Sequence, residues 1–265
     1  MKISIITVVK NGMPHLKDAI RSFQYQKYQN KEHIIVFTKS SDDTKQYLKN
    51  IKFKNVKIIY DKNTNNLYSS INKGIKISKG RIIGLLHSDD IFFSNRTLNS
   101  VNKAFKHDVD FAYGNILFSH PFNLNKILRV WISGKMNKKK LDNGWLPPHT
   151  SIFIKDNIIK ENLYKTKYTI SSDLYFILNL IKKNRLKSYY INQFITVMRY
   201  GGKSTKISNF FNKLKEDLKI TKLFFDNYFL YTIFKMLRKI NQFYFLNIFR
   251  KKIVNMKSNY LKKFF

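Results

Sequence analysis

The chain has 265 residues, among which 50 Lys and Arg outnumber 16 Asp and Glu, so its formal net charge at pH 7 is +34. Because 43% of the residues are hydrophobic, the chain can bury a core of ordinary size and is not a disordered basic tail. The absence of cysteine excludes a disulfide scaffold, thiolate metal sites and cysteine nucleophiles, so any bound metal needs oxygen or imidazole ligands.

Over the first 115 residues, short β-branched runs alternate with segments of helical spacing. The runs at residues 3–9, 33–37, 56–60, 82–86 and 110–113 predict strands. Apolar residues at helical spacing predict the intervening helices, namely Leu16, Ala19, Ile20 and Phe23, then Tyr47, Leu48 and Ile51, then Leu67, Ile71 and Ile75, and finally Leu98, Val101 and Phe105. This succession predicts an α/β fold with a mostly parallel central sheet that is flanked by helices.

In such sheets, ligands bind beyond the carboxyl ends of the strands. The first strand is followed by Lys10-Asn11-Gly12, which matches neither a dinucleotide-binding fingerprint nor a phosphate-binding P-loop. The fourth strand runs directly into His87-Ser88-Asp89-Asp90. Two adjacent carboxylates at a buried strand end repel each other unless a cation lies there, and Mg²⁺ or Mn²⁺ suits carboxylate and diphosphate oxygens. A turn-capping role for either aspartate is the alternative.

A set of short segments is informative through its order along the chain. The segments are 3–12, Tyr68, Asn72-Lys73-Gly74, Lys79-Gly80, 82–84, Ser88-Asp89-Asp90, Pro148-His149, 151–154, Ser172-Asp173-Leu174 and 201–204. In this order they resemble family 2 glycosyltransferases with the GT-A fold, and within that family bacterial enzymes that assemble surface polysaccharides. The resemblance covers about residues 1–205. No single segment is specific, whereas the ordered set is.

The resemblance implies an inverting transfer of a sugar from a nucleotide-diphosphate donor to a hydroxyl of a lipid-linked or glycan acceptor. It also implies a divalent cation, Mg²⁺ or Mn²⁺, held by Asp90 with Asp89 close by, as Lewis acid for the leaving diphosphate. The binding residues that it implies are Val9, Lys10, Asn11, Phe37, Asn72, Ser88, Asp89, His149, Gly201 and Gly202. A structural histidine is the alternative for His149, and an ordinary surface turn is the alternative for the two glycines.

A displacement at the anomeric carbon also needs a carboxylate that takes the proton of the acceptor hydroxyl. The acids between the fifth predicted strand and residue 216 are Asp142, Asp156, Glu161 and Asp173. Asp142 follows a lysine-rich stretch, and Asp156 and Glu161 fit turn and helix-start positions. Asp173 matches the base of the family and opens a helical pattern, where the helix dipole keeps a carboxylate ionised. Asp173 is therefore the predicted catalytic residue, with a simple helix N-cap as the alternative.

Two positions depart from the family pattern. The second strand of the family usually ends in an Asp that recognises the nucleotide base, and Phe37 stands in that place. A phenyl ring can stack on a base, but it cannot accept the imide proton of uracil. A further position that is usually acidic is Ser69 here. These departures leave the donor nucleotide open and are compatible with a catalytically weakened relative.

Beyond about Thr205 the composition becomes aromatic and basic, with 15 basic and 3 acidic residues in 203–265. Apolar residues recur there at steps of three or four, at Phe229, Ile233, Leu237, Ile240, Tyr244 and Ile248, and the polar residues Lys235, Arg238, Lys239 and Gln242 fall largely on the other side. Such a helix is typical of a membrane interface, and packing of the stripe on the rest of the protein is the alternative. We therefore predict a catalytic domain at 1–205 and a helical extension at 206–265.

No segment approaches the ~20 uncharged apolar residues that span a bilayer, and the apolar run at the N-terminus is too short for a signal peptide. We expect a cytoplasmic protein that binds peripherally at the inner face of the cell membrane. Because the lysines are spread along the whole chain, an anionic membrane surface or anionic substrates are favoured over nucleic acid as partners. The rival hypotheses are a non-catalytic subunit of a polysaccharide assembly complex and a nucleic-acid-binding protein.

Overall fold

The computed structural model describes residues 1–62, 66–184, 186–201, 210–239 and 242. Its strands are β1 Ile3–Val9, β2 Lys31–Phe37, β3 Val56–Tyr60, β4 Ile82–Leu85, β5 Ile91–Phe92, β6 Phe111–His120, β7 Asn123–Trp131, β8 Phe153–Lys155 and β9 Ser188–Arg199. Its helices are α1 Leu16–Gln24, α2 Thr44–Lys49, α3 Leu67–Ile77, α4 Thr97–Ala104, α5 Lys138–Asp142, α6 Asp156–Glu161, α7 Ser172–Leu178, α8 Phe210–Thr221 and α9 at 228–239.

The nine strands form one sheet in the order β3-β2-β1-β4-β8-β6-β9-β5, with β7 paired to β6. The first four strands are parallel to one another, as the alternation of strands and helices predicts. β1 lies between β2 and β4, and its Ile5 and Ile6 are almost completely buried between helices on both faces. The predicted α/β class, a central sheet surrounded by helices, is confirmed.

The second half of the sheet mixes strand directions. β8 is antiparallel to both β4 and β6, β7 and β5 are antiparallel to their partners, and only β6 and β9 run parallel. The strand predicted at 110–113 is longer than expected, because β6 continues to His120 and turns back into β7. This half therefore adds antiparallel pairs to the parallel sheet, and it brings the end of β9 beside the end of β4.

Helix α8 is tied to the segment that precedes α7. The carboxylate of Glu216 accepts hydrogen bonds from the backbone N–H groups of Thr169, Ile170 and Ser171, at 2.8–3.0 Å. Its neighbour Asp217 lies 2.6 Å from Lys235 Nζ of α9 and 3.4 Å from Lys213 Nζ. These contacts fix α8 and α9 next to the start of α7.

Helix α9 presents its polar side to the protein and its apolar side to solvent. Tyr231 and Thr232 are buried, and Arg238 donates a hydrogen bond to the carbonyl of Asn143 at 2.7 Å. The apolar side chains on the other side are exposed, at Phe229, Leu230, Ile233, Phe234 and Leu237. Ile240, Tyr244 and Ile248 of the predicted stripe lie outside the described residues. No helix in the described part of the chain is long and apolar enough to cross a membrane.

Candidate active site

Three adjoining cavities extend from the carboxyl ends of β1 and β4 to β7 and α9. The strand-end cleft, of about 430 Å³, is lined by Lys10, Asn11, Thr38, Ser88 and Asp89, among others. The central pocket, of about 180 Å³, is lined by Tyr68, His87, Asp89, His149, Asp173 and Arg199, among others. The basic cavity, of about 160 Å³, is lined by the cations Arg129, Lys213, Lys235 and Lys239. Asp89 borders the first two cavities, and Asp173 and His149 border the last two.

The turn after β1 forms one wall of the strand-end cleft. Asn11 has a positive φ of 52°, and its Oδ1 accepts a hydrogen bond from the backbone N–H of Ser41 at 2.8 Å. A Cβ atom on Gly12 would lie 2.3 Å from Val9 Cγ2, so only glycine fits at this position. The turn therefore holds the backbone against the cleft, and the sequence places both residues correctly after the first strand.

Two predicted binding residues have their side chains in the core instead. Successive side chains of a strand point to opposite faces, so Val8 lines the cleft while Val9 is buried beneath it. Phe37 is 8% exposed, and its ring stacks on that of Tyr60 at a centroid distance of 4.9 Å. Thr38, the next residue, lines the cleft, and its buried Oγ1 has no hydrogen-bond partner among the described residues. This corrects the expectation that the Phe37 ring stacks on a bound base.

Asp89 and Asp90 occupy different environments. Asp89 lines the cleft and the pocket, whereas Asp90 is 1% exposed behind it. Asp90 Oδ1 accepts a hydrogen bond from the backbone N–H of Arg199 at 3.2 Å, and its Oδ2 has no partner among the described residues. Burial and the neighbouring charge of Asp89 raise the pKa of Asp90 well above its usual range. The structure therefore places Asp89, and not Asp90, at the surface of the cleft.

These two carboxylates fit one mode of metal binding. The described residues contain no group of three or more His, Asp or Glu side chains that could hold a metal ion by themselves. Mg²⁺ is commonly bound through one or two carboxylates together with substrate phosphates. Asp89 at the cleft and the unpartnered Oδ2 of Asp90 behind it match that requirement, so a divalent cation fits here together with a diphosphate.

Arg199, at the end of β9, is a site residue that the sequence does not reveal. Its guanidinium donates hydrogen bonds to the carbonyls of Asp89 at 2.5 Å and Pro121 at 2.9 Å, and to the carboxylate of Asp18 at 2.5 Å. Because its backbone N–H also binds Asp90, one residue fixes the whole Asp89-Asp90 turn. Asp18, Asp89 and Asp90 each lie more than a hundred residues before Arg199 in the sequence, so no local motif marks these contacts.

Asp173 lies at the end of a chain of two histidines. His149 Nδ1 is 3.4 Å from Asp173 Oδ2, and His149 Nε2 is 2.8 Å from His87 Nε2. Burial lowers the pKa of His149 to about 4, although the charge of Asp173 opposes this shift, and burial also lowers the pKa of His87. Both rings are therefore neutral at pH 7. The consistent arrangement has His87 Nε2–H donating to His149 Nε2, and His149 Nδ1–H donating to Asp173.

The carboxylate of Asp173 remains weakly bound. Its other oxygen, Oδ1, is 3.4 Å from the hydroxyl of Tyr68, which donates a shorter hydrogen bond of 2.7 Å to the carbonyl of Ile170. Asp173 lies in the first turn of α7, and Ser171 occupies the N-cap position. The geometry therefore does not favour the alternative in which Asp173 is only a helix cap, and it leaves the carboxylate able to accept a proton in the pocket.

Only some of the other predicted binding residues line the strand-end cleft. Lys10, Asn11 and Ser88 line the strand-end cleft. Asn72 lies outside it, because its side-chain amide forms two hydrogen bonds of 2.8 and 2.9 Å with the backbone of Tyr164. Gly201 has a φ of +116° just after β9, which suits glycine, and Gly202 lies outside the described residues.

The other candidate bases lie away from the central pocket. Asp142 pairs with Lys182 at 3.5 Å, and Asp156 lies 3.8 Å from Lys160. Asp142, Asp156 and Glu161 are not among the residues that line the central pocket. Of the four acids considered from the sequence, Asp173 alone borders that pocket.

Comparisons with known proteins show the family of this chain and agree with its fold. Residues 4–164 match the family model described as "Glycosyl transferase family 2". The chain is 24% identical over 215 residues to the UDP-Glc:alpha-D-GlcNAc-diphosphoundecaprenol beta-1,3-glucosyltransferase WfgD of Escherichia coli, with 81% of each chain covered.

Two solved structures show the same fold at low sequence identity. One is S. aureus TarS 1-349 in complex with UDP-GlcNAc, with a TM-score of 0.65 at 14% identity, covering 84% of this chain and 65% of that one. The other is the mannosyltransferase PcManGT from Pyrobaculum calidifontis in complex with GDP-Man and Mn²⁺, with a TM-score of 0.56 at 11% identity, covering 82% of this chain and 61% of that one. The chain thus spans less than two thirds of either structure.

Proposed function

Because the chain belongs to glycosyl transferase family 2, we propose that it transfers a sugar from a nucleotide-diphosphate donor to a hydroxyl of a lipid-linked or glycan acceptor, with inversion at the anomeric carbon. The observation that carries the proposal is the placement of Asp89 and Asp173 on one pocket. Asp89 borders the strand-end cleft and Asp173 borders the basic cavity. In this proposal residues 1–205 form the catalytic domain and residues 206–265 form a helical extension, of which Lys213, Lys235 and Lys239 line the basic cavity.

The strand-end cleft is the proposed donor site. Its position beyond β1 and β4 is the usual ligand position in an open α/β sheet, and its volume admits a nucleotide. Asn11 and Thr38 supply polar groups, and Asp89, with Asp90 behind it, would hold Mg²⁺ or Mn²⁺ against the diphosphate. When bound, the cation would supply positive charge at the leaving diphosphate. The complex of PcManGT with GDP-Man and Mn²⁺ supports this choice of cofactor.

Asp173 is the proposed base. The acceptor hydroxyl gives its proton to an oxygen of Asp173 while its own oxygen attacks the anomeric carbon and the bond to the diphosphate oxygen breaks. The hydrogen bond from His149 Nδ1 orients the carboxylate, and His87 holds His149 in the tautomer that this bond needs. In a single displacement the acceptor oxygen attacks the anomeric carbon from the side opposite the leaving diphosphate, so the configuration at that carbon inverts.

We further propose that α9 binds an anionic lipid surface. Its exposed side carries Phe229, Leu230, Ile233, Phe234 and Leu237, and the chain as a whole carries a net charge of +34. Apolar side chains that enter the interface, together with attraction of lysines to anionic lipids, are what hold such a helix on a membrane. The lipid-linked acceptor named for WfgD supports the same location at the membrane.

Vesicle flotation tests this lipid surface. We expect the protein to float with vesicles that contain phosphatidylglycerol, and the double variant Phe229→Ser, Leu230→Ser to float less. Phe53→Ser removes a similarly exposed phenyl ring, 49% exposed, from the opposite end of the chain and serves as the control. Equal flotation of all three proteins would contradict a role for α9 at the membrane.

A thermal-shift screen tests the donor site, since a ligand that binds only the folded state raises the melting temperature. UDP, GDP, CDP and dTDP are each measured with Mn²⁺, with Mg²⁺ and without metal. We expect one nucleotide to raise the melting temperature in a metal-dependent manner, and the matching nucleotide sugars to be hydrolysed slowly without acceptor. If no nucleotide diphosphate binds, the proposed activity is wrong and a non-catalytic subunit becomes the better hypothesis.

A further inference from the structure

The basic cavity has cations from three distant elements of the chain. Arg129 comes from β7, Lys213 from α8, and Lys235 and Lys239 from α9. The cavity opens onto His149 and Asp173, so it lies on the other side of the proposed base from the strand-end cleft. The proposed donor site and reaction do not use these four side chains.

The charges in this cavity are not balanced. Asp217, whose side chain is 8% exposed, pairs with both Lys235 and Lys213. Arg129 and Lys239 form no ion pair with any described carboxylate. All 16 acidic side chains of the protein belong to described residues, because the sequence segments outside the described ranges contain no Asp or Glu. Of these side chains, only Asp173 also lines the cavity, and it pairs with His149 and not with Arg129 or Lys239.

Arg129 is built into the wall of the cavity. It is 9% exposed, its guanidinium lies 3.6 Å from the centre of the Phe118 ring, and its Nε has no hydrogen-bond partner among the described residues. Burial lowers the pKa of Arg129 to about 10. A buried guanidinium whose Nε has no hydrogen-bond partner is costly to the folded protein, and an anion bound in the cavity would offset that cost.

Lys239 is an exposed residue whose amine is partly buried at the rim of the same cavity. Its pKa is lowered to about 8, first by desolvation and then by the positive charges of Lys235 and Lys213, with Arg129 also contributing. An anion bound between these groups would relieve the repulsion. The planar guanidinium of Arg129 suits two phosphate oxygens at once, and the ammonium of Lys239 suits a third.

We infer that the basic cavity binds the diphosphate of the acceptor, so that the acceptor is a sugar joined through a diphosphate to a lipid; this rests on the proposed transferase function. The cavity borders Asp173, so a diphosphate bound in it lies next to the proposed base. Helix α9 would then contact both the diphosphate and the lipid of this acceptor. Lys235 and Lys239 face the phosphates, while Leu230, Ile233 and Phe234 on the exposed side face the lipid.

The two tryptophans of the chain give a direct readout of this site. Trp131 lines the basic cavity beside Arg129, and Trp131 and Trp145 both line an adjoining cavity with Lys235 and Lys239. The probes are inorganic diphosphate and farnesyl diphosphate, which do not absorb where tryptophan is excited. We expect saturable fluorescence changes on titration, with tighter binding of farnesyl diphosphate because its hydrocarbon chain adds apolar contacts.

Arg129→Gln and Lys239→Gln should each weaken binding of farnesyl diphosphate by roughly tenfold or more, the loss expected for one charge-assisted hydrogen bond. Lys103→Gln, which removes an exposed lysine on α4, is the matched control and should bind as the wild type does. Because Lys239 is exposed, its variant is expected to fold even if Arg129→Gln does not. Wild-type affinity for farnesyl diphosphate in the folded Lys239→Gln variant would overturn the inference. So would a wild-type protein that binds inorganic diphosphate but not farnesyl diphosphate.

Competition with the donor separates this site from the strand-end cleft. The titration is repeated with saturating UDP and Mn²⁺, or with the nucleotide found by the thermal-shift screen. Unchanged affinity for farnesyl diphosphate supports two separate phosphate sites, and displacement by the nucleotide would overturn the inference. If no nucleotide binds at all while farnesyl diphosphate still does, the proposed transferase function fails and the anion site stands.

Discussion

The strand-end cleft and the basic cavity lie on either side of the central pocket, but they are built in opposite ways. The cleft is assembled mainly from turns that follow β1, β2 and β4, and its chemistry is that of a carboxylate and short polar groups. The basic cavity joins β7, α8 and α9 across the second half of the chain, and its chemistry is that of four cations. On our proposal, the strands and turns of the first half of the sheet supply the donor side, whereas later segments of the chain define the acceptor side.

The largest effect should come from the residue between the two regions. Asp173→Asn keeps the shape of the side chain but cannot take the proton of the acceptor, so we expect transfer to fall by roughly 10²–10⁴. Donor affinity and farnesyl diphosphate binding should both remain close to wild type. Turnover and the two binding constants are measured on one preparation, and near-normal turnover would show that the base lies elsewhere.

A second comparison tests the core beneath the cleft. Because Phe37 is buried and stacked on Tyr60, Phe37→Asp places a charge in the core, and we expect a loss of about 3–5 kcal/mol in the free energy of unfolding. Phe53→Asp changes an exposed ring, and its effect should stay within about 0.5 kcal/mol. Urea unfolding gives both values. A stable Phe37→Asp protein with a changed base preference would restore the role at the nucleotide predicted from the sequence.

The two neighbouring aspartates should differ in their effect on the donor side. Asp89→Asn removes the carboxylate that lines the cleft, and we expect donor affinity in the presence of Mn²⁺ to fall by roughly ten- to a hundredfold. Asp90→Asn retains an oxygen for the backbone N–H of Arg199, so its loss should be smaller. Calorimetric titrations with and without Mn²⁺ provide the comparison, and the reverse order would identify Asp90 as the main metal ligand.

The smallest expected effect concerns pH on the acceptor side. With a pKa of about 8, Lys239 loses its proton as the pH rises from 7 to 9, although the charge of Asp217 opposes this loss. We expect binding of farnesyl diphosphate to weaken over this range by roughly three- to tenfold relative to Lys239→Gln, which has no ammonium to lose. Parallel curves for the two proteins would mean that Lys239 does not contact the anion.

Much of the proposed donor site can be predicted from the sequence, because short continuous segments of the chain form it. The β-branched runs give β1 to β4, and the run His87-Ser88-Asp89-Asp90 follows β4 directly. Periodicity does not reveal that Val9 and Phe37 point into the core, because a strand that is buried on both faces lacks alternation. The choice of Asp173 as candidate base rests on the family resemblance and on the helix that it opens, and its position on the pocket supports that choice.

The proposed acceptor site depends on contacts between residues that are far apart in the sequence, which no local pattern predicts. β9 is an apolar run that periodicity alone cannot distinguish from a helix. Arg199 contacts Asp18 and Asp89 only because the sheet brings the end of β9 close to them. The spacing in α9 correctly predicts two unlike faces. The spacing does not predict that the polar face packs against the protein, because this depends on the contacts of Lys235 with Asp217 and of Arg238 with the carbonyl of Asn143.

The stereochemistry of the product tests the central claim, a single displacement assisted by Asp173. With an α-linked nucleotide sugar and a sugar-diphospholipid acceptor, the anomeric proton of the newly transferred sugar is observed by NMR. We expect a β-linked product, and no detectable product within the same time from Asp173→Asn. An α-linked product would contradict the account, because retention requires a second displacement and a nucleophile that the proposed mechanism does not include.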